Sequence, residues 1–244
     1  MDLATEASDN FARHIEQNSY PGRGLVLGRS SDGAAWLQVY WIMGRSPNSR
    51  NRIFEAEGAT LRTAPHDAAA LREPALVIYE AMLELPGVHI VSNGDQTRTI
   101  HDEIASGGSF ESALQKRERE PDAPNYTPRI SGLIDLREGE ATFALNILKA
   151  NPADPDRTDR TSFRPAPPPP GLGLALTTYQ GDGDPLPPFR GEPLWLPLEG
   201  DPEAVADRYW DGLDADNRVA LAVKSIPASG GAAEIFLRNR FARD

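Results

Sequence analysis

The sequence predicts an α+β fold with mainly antiparallel sheets, and two observations lead to that prediction. Many short apolar runs occur in pairs that are separated by turn residues, which is the pattern of antiparallel hairpins. The helical segments come in blocks, whereas a doubly wound parallel fold alternates strands and helices one by one. Two packed sheets covered by helices would accommodate this number of strands.

The individual elements follow from apolar periodicity and from turn and capping residues. Strands are predicted over residues 25–28, 36–43, 88–91, 129–136, 141–148, 172–179, 218–226 and 233–240. Helices are predicted over residues 1–18, 75–85, 97–120 (in two pieces split at residues 107–108, with Ser109 as the second cap) and 201–213. A strand at 77–79 is the alternative to the helix at 75–85, because that stretch contains β-branched residues.

Composition indicates one globular unit and excludes several kinds of chemistry. The chain has 244 residues, 39% of them hydrophobic, which is enough to bury a sizeable core. We expect a single domain over 1–244, with a leading helix at 1–18 and a proline-rich surface loop at 151–170. Cysteine is absent, which excludes disulfides, zinc–thiolate sites, iron–sulfur clusters and a thiol nucleophile.

Charge and hydropathy narrow the possible partners. The formal net charge of −11 argues against binding to nucleic acid or to an anionic membrane surface, but a local arginine cluster could still hold a small phosphate. No apolar run reaches the length of about 18 residues that a membrane span needs, and the start lacks a secretory apolar region. We therefore expect a cytoplasmic protein and, as is frequent for acidic soluble proteins, a homo-oligomer.

Common catalytic motifs are missing. The sequence contains no Walker loop, no GxSxG elbow and no HExxH motif. Its histidines are scattered singly and show no metal-ligand spacing: His14, His66, His89 and His101. The sequence therefore predicts no metal site.

Three polar segments remain as candidate sites. Residues 43–52 hold three arginines, two serines and two asparagines directly after an apolar strand, and arginine forks bind phosphate and carboxamide oxygens. Residues 91–97 place Asn93 where a strand gives way to a helix, a position that favours anions. Residues 125–132 follow several acids, and a carboxylate near an arginine and a tyrosine could move a proton. Solvated turns, a helix cap and a solvated helix end are the structural alternatives.

Taken in order, these segments resemble the archaeal-type IMP cyclohydrolase family over roughly residues 20–179. The matching motifs are Tyr20-Pro21-Gly22-Arg23-Gly24, Gly44-Arg45-Ser46, Asn51-Arg52, Ile78-Tyr79, Val91-Ser92-Asn93-Gly94, Tyr126-Thr127-Pro128-Arg129-Ile130 and Thr177-Thr178-Tyr179. The chain departs from that family in its leading helix, its longer arginine loop, its proline-rich insertion and its longer carboxyl end.

The resemblance implies a four-layer αββα sandwich similar to the N-terminal nucleophile hydrolases. It also implies closure of the purine ring of 5-formamidoimidazole-4-carboxamide ribonucleotide, giving IMP and water, with no metal and no organic cofactor. Arg52 and Tyr79 would be catalytic, together with an acidic partner, Glu120, for which Asp122 is the reserve. Substrate contacts would come from Arg23, Arg45, Ser46, Asn51, Asn93 and Arg129.

Two other functions remain open at this point. An amide hydrolase of the N-terminal nucleophile type would need a hydroxyl or thiol residue at its mature terminus. Met1 offers neither group, whereas a cleavage that exposed Ser19 would supply a hydroxyl. A purine nucleotide-binding module without catalysis would keep the arginine loop and Asn93 but leave the proton-transfer groups idle.

Overall fold

A computed structural model describes residues 2–72 and 77–241 and confirms the α+β class with two mainly antiparallel sheets. The strands are β1 (Gly24–Arg29), β2 (Ala35–Met43), β3 (Arg52–Glu57), β4 (Thr60–Pro65), β5 (Glu80–Leu85), β6 (Val88–Ser92), β7 (Arg129–Asp135), β8 (Thr142–Ala150), β9 (Thr158–Phe163), β10 (Leu172–Thr177), β11 (Leu194–Pro197), β12 (Arg218–Pro227) and β13 (Glu234–Asn239). The helices are α1 (Leu3–Phe11, prolonged by a π turn at Ala12–Glu16), α2 (Pro47–Arg50), α3 (Gln96–Ala105), α4 (Phe110–Gln115) and α5 (Pro202–Gly212), with a 3-10 turn at Ala68–Ala70.

The two sheets are built differently along the chain. The first has the order β11-β10-β1-β2-β12-β13, so it joins strands from both ends of the sequence. The second runs from β3 to β9 as a meander in chain order. Short turns join β3 to β4, β5 to β6 and β7 to β8, so these pairs depend on local turn chemistry. The segment that carries α3 and α4 separates β6 from β7, and the first sheet needs long-range pairing.

Apolar side chains fill the space between the sheets and cover both outer faces. Leu27 and Tyr40 of the first sheet share one cluster with Ile134 of the second. On the outer face of the first sheet, helices α1 and α5 contribute Phe11 and Tyr209 to a second cluster. Helices α3 and α4 cover the outer face of the second sheet through a third cluster. None of the helices within the described ranges combines the length and the hydropathy that a membrane-spanning helix requires.

The helix predicted over residues 75–85 is wrong from residue 78 onward: residues 78–79 belong to no helix or strand, and strand β5 begins at Glu80. Ala81, Met82 and Leu83 are all buried, so β5 has apolar residues on both faces and imitates helical spacing. The turn at Gly87, with φ of 72°, joins β5 to β6 as a hairpin. Residues 73–76, which include the start of that predicted helix, lie outside the described part of the chain.

The proline-rich segment at 151–170 is not wholly a loop. Residues 158–163 form strand β9, which pairs antiparallel with β8 at the edge of the second sheet. Most of its residues are polar and partly exposed, so the sequence shows no apolar alternation there. Strand β11 and the short helix α2 were also absent from the predictions. Each of these elements is too short to show a periodic pattern of its own.

A buried polar cluster joins the sheets at the end where the β5–β6 turn lies. Lys224 of β12 is fully buried, and its Nζ donates hydrogen bonds to Glu84 Oε2 at 2.7 Å and to the Ala59 carbonyl at 2.9 Å. His89 Nδ1 lies 3.1 Å from the same Glu84 oxygen. Burial, and then the charge of Lys224, lowers the pKa of His89 to about 4. The imidazole is therefore neutral in the folded protein above that pH.

This environment predicts a pH-dependent contribution of His89 to stability. Between about pH 4 and the ordinary value of 6.5, the unfolded chain protonates His89 and the folded chain does not. The free energy of unfolding should therefore fall as the pH is lowered through this window, with about 3 kcal/mol due to His89. Urea unfolding of the wild type and of His89→Gln over this pH range measures the difference. Parallel pH profiles for the two proteins would contradict the assignment.

Candidate active site

A cavity of about 310 Å³ opens at the other end of the sandwich, where β2 and β6 end and β7 begins. Of the residues that the sequence predicted for a site, five line it: Arg23, Arg45, Ser46, Arg52 and Glu120. The reserve acid Asp122 lines it as well. The remaining lining residues, which the sequence did not assign to a role, are Tyr20, Gly22, Met43, Asn48, Ser49, Val77, Asn125, Thr127, Tyr179 and Leu186.

Arg23 and Glu120 form a buried, bidentate ion pair in this cavity. Arg23 Nη1 lies 2.9 Å from Glu120 Oε1, and Nη2 donates to Oε2 at 3.1 Å. Nη1 also donates to the Asn93 carbonyl at 3.0 Å. Burial alone would lower the pKa of Arg23, but the Glu120 carboxylate raises it well above its ordinary value. The arginine is thus a permanent cation whose charge is already matched by one carboxylate.

Gly22 allows the backbone conformation that precedes this arginine. Its φ is 74°, a value that residues with a Cβ rarely adopt. A Cβ at this position would also stand 2.2 Å from Thr178 Oγ1. The hydroxyl of Thr178 accepts a hydrogen bond from the Arg23 main-chain N–H at 3.1 Å. Any side chain at residue 22 would therefore push Arg23 away from the cavity.

Arg52 is the second buried cation of the cavity, and its exposed fraction is 4%. It is the first residue of β3, directly after helix α2. Its Nε donates to the Ser49 carbonyl at 2.8 Å and Nη2 to the Met43 carbonyl at 3.1 Å. No carboxylate of the described residues pairs with it, and its Nη1 has no partner among them. Arg52 therefore retains N–H donors for an oxygen atom of a ligand.

Arg45 and Ser46 lie at the mouth of the cavity. The Arg45 guanidinium stands 4.9 Å from the centre of the Tyr20 ring and contacts the Asp182 carboxylate. Ser46 is the N-cap of α2, and its Oγ accepts a hydrogen bond from the Ser49 main-chain N–H at 3.1 Å. Both residues are exposed, so a ligand could reach them from solvent.

Two hydroxyl groups in the cavity wall are hydrogen-bonded in series to Asp122. Tyr179 Oη lies 2.6 Å from Thr127 Oγ1, and Thr127 Oγ1 donates to Asp122 Oδ2. The Thr127 main-chain N–H also donates to Asp122 Oδ1 at 2.7 Å. Burial raises the pKa of Tyr179 above its ordinary value, so its hydroxyl stays protonated at neutral pH. The resemblance motifs contained Thr127 and Tyr179, yet nothing local marked them as partners, since 52 positions separate them.

Tyr79 does not line the cavity. It belongs to the cluster between the sheets, where its hydroxyl lies 2.7 Å from the Tyr40 hydroxyl. Burial raises the pKa of Tyr40 well above its ordinary value. Tyr79 therefore faces a neutral hydroxyl partner in this state of the protein, and its catalytic role remains a prediction.

Three further predicted residues are turned toward internal contacts instead of the cavity. The Asn51 amide bonds to the Asp67 main chain, with Nδ2 at 2.8 Å from the carbonyl. The Asn93 amide accepts from the Ile130 N–H at 2.8 Å. Arg129 Nη1 donates to Asp95 Oδ1 at 2.8 Å. Direct substrate contact by Asn51, Asn93 and Arg129 remains a prediction.

Within the described ranges, no group of three or more His, Cys, Asp or Glu side chains is arranged to hold a metal ion.

The buried ion pair predicts a measurable coupling in stability. Glu120→Gln would leave the Arg23 cation buried without its counter-charge, and we expect it to lower the free energy of unfolding by about 3 kcal/mol. Arg23→Met combined with Glu120→Gln should cost less than the sum of the two single changes, because the double variant buries no unpaired charge. Chemical denaturation of the four proteins gives the coupling energy. Additive losses would show that the pair does not act as a unit.

Comparison with known proteins places these features in a family. The family model described as IMP cyclohydrolase-like protein matches residues 20–230, which include every residue of the cavity. A curated protein named IMP cyclohydrolase, from Methanopyrus kandleri, is 32% identical to the chain over 195 residues. The alignment covers 78% of this chain and 90% of that protein. The chain therefore belongs to the IMP cyclohydrolase-like family.

Proposed function

We propose that this protein is an IMP cyclohydrolase that closes the purine ring of 5-formamidoimidazole-4-carboxamide ribonucleotide, releasing IMP and water. Its membership of the family supports the activity. The observation that carries the proposal in this chain is Arg52, a buried cation that lines a cavity and pairs with no carboxylate of the described residues. Such a cation suits a reaction in which negative charge develops on an oxygen atom.

The reaction rearranges bonds within one substrate molecule. The carboxamide nitrogen attacks the formyl carbon, which forms the new C–N bond and places negative charge on the former carbonyl oxygen. This oxygen takes up a proton while the attacking nitrogen loses one. The hydroxyl then leaves as water with the proton of the formamido nitrogen, and a C=N bond forms. The protein must therefore orient two substituents, stabilise an oxyanion and move protons.

Arg52 is assigned to the oxyanion. Two main-chain carbonyls hold its guanidinium in position, so little reorganisation is needed when the charge develops. The cavity of about 310 Å³ lies within the range that small-ligand sites occupy. Arg45 and Ser46, at its exposed mouth, are assigned to the phosphate of the ribonucleotide, which would keep its solvation on one side.

Two carboxylates are available for proton movement, and their surroundings differ. Glu120 has both oxygens engaged by Arg23, so we assign it to the reacting end of the site as the partner that holds this cation. Asp122 lines the cavity and is hydrogen-bonded through Thr127 to Tyr179. A proton reaching Tyr179 Oη could pass along these hydroxyls to Asp122, which makes Asp122 a second acceptor beside Glu120. Arg23 is assigned to a carboxamide or formyl oxygen.

Asn51, Asn93 and Arg129 are proposed to support the substrate by holding the walls of the site. Asn51 directly precedes Arg52 in the chain. Asn93 Nδ2 donates to the Pro128 carbonyl, next to Thr127, and Arg129 Nε donates to the Glu118 carbonyl, two residues before Glu120. Asn93 also contributes its carbonyl oxygen to Arg23. Direct contact with the ribose or the base would require these side chains to exchange their present partners.

The finer fold assignment is part of the proposal. Two sheets packed face to face, with helices on both outer faces, support a four-layer αββα sandwich similar to the N-terminal nucleophile hydrolases. Ser19, the terminus that a hydrolase of that type would need, is exposed and does not line the cavity. Removal of residues 1–18 would also strip Phe11 and Ile15 from the outer core. These observations favour the cyclohydrolase over the amide hydrolase.

A cytoplasmic location, a homo-oligomeric state and the lack of a nucleic-acid partner remain predictions from composition. Catalysis without metal or organic cofactor likewise remains a prediction from the reaction itself, since each step needs only oriented groups and proton transfer. The binding module without catalysis is the outcome to be separated by assay.

The central test is conversion of 5-formamidoimidazole-4-carboxamide ribonucleotide by the purified protein, followed by absorbance and chromatography against a control without enzyme. We expect IMP to form at a rate that a chelator does not change. Arg52→Met should lower kcat by at least about 100-fold, as expected for the loss of an oxyanion donor. Tight IMP binding with no acceleration would contradict catalysis and favour the binding module.

Two tyrosine variants separate the predicted proton-transfer group from the one that lines the cavity. If Tyr79 transfers a proton, Tyr79→Phe should lower kcat by about 100-fold with little change in ground-state binding. Tyr179→Phe interrupts the path to Asp122, and it should also lower kcat if that path is used. Tyr40→Phe is the matched control: it removes the hydroxyl that is hydrogen-bonded to Tyr79 and leaves the Tyr79 hydroxyl itself in place. Unchanged turnover in Tyr79→Phe would remove Tyr79 from the mechanism.

A further inference from the structure

A second cavity, of about 480 Å³, lies beside the candidate active site. Residues of the proline-rich insertion form part of its wall, and five prolines make its lining stiff: Pro124, Pro152, Pro155, Pro185 and Pro188. Asn125 and Leu186 line both cavities, so one wall is shared. The Leu186 main-chain N–H donates to Asn125 Oδ1 at 3.0 Å, so the two residues of the shared wall are hydrogen-bonded to each other.

Two basic side chains in the second cavity have no carboxylate bonded to them. Lys149 Nζ donates to the Phe189 carbonyl at 3.1 Å and has no ion pair with the described residues. Arg190 has neither a hydrogen bond nor an ion pair within the described part of the chain. Both cations line the cavity. Burial, and then the charge of Arg190, lowers the pKa of Lys149, while the charge of Asp159 acts in the opposite direction. Such a pair is unfavourable unless an anion lies between them.

One carboxylate, Asp159, lines the same cavity and offsets the charge of one of these two cations. Asp159 Oδ1 accepts a hydrogen bond from Asn151 Nδ2 at 2.9 Å and bonds to neither cation. The cavity therefore carries a net positive charge in a chain whose formal net charge is −11. A cavity with net positive charge attracts anions even when the protein as a whole is acidic.

An aromatic ring completes the lining. Tyr126 has φ of 43°, an uncommon conformation for a residue with a side chain, and its ring lines the cavity. The Arg119 guanidinium lies 4.4 Å from the centre of this ring, and Arg119 Nε donates to the Pro155 carbonyl at 2.8 Å. The ring is thus held at the cavity wall, where a flat ligand could stack on it.

We propose that this cavity binds a second phosphate-bearing ligand, a nucleoside monophosphate, with the phosphate at Lys149 and Arg190 and the base against Tyr126. The ligand is distinct from the substrate molecule in the active-site cavity. Because Asn125 belongs to the segment that carries Asp122 and Thr127, occupation of the second cavity would stabilise one wall of the first. The volume of about 480 Å³ is adequate for a mononucleotide.

The test is calorimetric titration of the full-length protein with AMP. Lys149→Gln combined with Arg190→Gln should weaken one class of AMP sites by about tenfold or more, since charge-assisted hydrogen bonds to phosphate are lost. Arg157→Gln combined with Arg164→Gln is the matched control; it removes the same charge from side chains that do not line the cavity, and its AMP affinity should equal that of the wild type. Arg190 is exposed, so Arg190→Gln alone serves if the double variant does not fold.

Inorganic phosphate and a ring-deleted variant distinguish the two sources of the phosphate group. Tyr126→Asn removes the ring and keeps a residue type that tolerates positive φ. We expect it to weaken AMP binding by about tenfold while leaving inorganic phosphate binding unchanged. Equal AMP affinity in the wild type and in both site variants would overturn the proposal. So would AMP binding that is lost in Arg45→Gln and retained in the Lys149 and Arg190 double variant, because AMP would then occupy the active-site cavity alone.

Discussion

The buried ion pair between Arg23 and Glu120 is the contact on which the candidate site depends. Arg23 stands at the entry to β1 in the first sheet, whereas Glu120 lies in the segment that leads to β7 in the second. The pair therefore joins the sheets at the mouth of the sandwich. Since two buried charges lose their hydration, the contact is favourable only in good geometry. It thereby restricts how the two sheets can be placed against each other.

A comparable polar contact is found at the far end of the sandwich. There Lys224 of the first sheet meets Glu84 of the second, and the apolar core lies between the two ends. The ends differ in how fully their polar groups are satisfied. Lys224 has a carboxylate partner, whereas Arg52 at the cavity has only two carbonyls. An incompletely partnered cation is a cost to folding that a ligand can offset, which is why we place the candidate site at the cavity end.

The proline-rich segment at 151–170 shapes the surroundings of the candidate site and contributes no lining residue to its cavity. Strand β9 extends the second sheet at its edge, and the loop before it forms one wall of the second cavity. Asn125 and Leu186 separate that cavity from the first. An added segment on a sheet edge can create a new concave surface in this way without disturbing the paired strands beneath it.

Local chemistry in the chain was sufficient to predict the hairpins, the capped helices and the antiparallel class, because turn residues and apolar alternation act between near neighbours. The family resemblance, which rests on motifs in a given order, also predicted five of the residues that line the cavity. The strand at Glu80–Leu85 was missed because both of its faces are buried, and the strand at Thr158–Phe163 because it is polar.

Only the tertiary structure placed Tyr179 against Thr127 and turned Asn51, Asn93 and Arg129 toward internal partners. Those arrangements depend on contacts between distant segments, and a side chain's direction is decided by such packing, which no local pattern encodes.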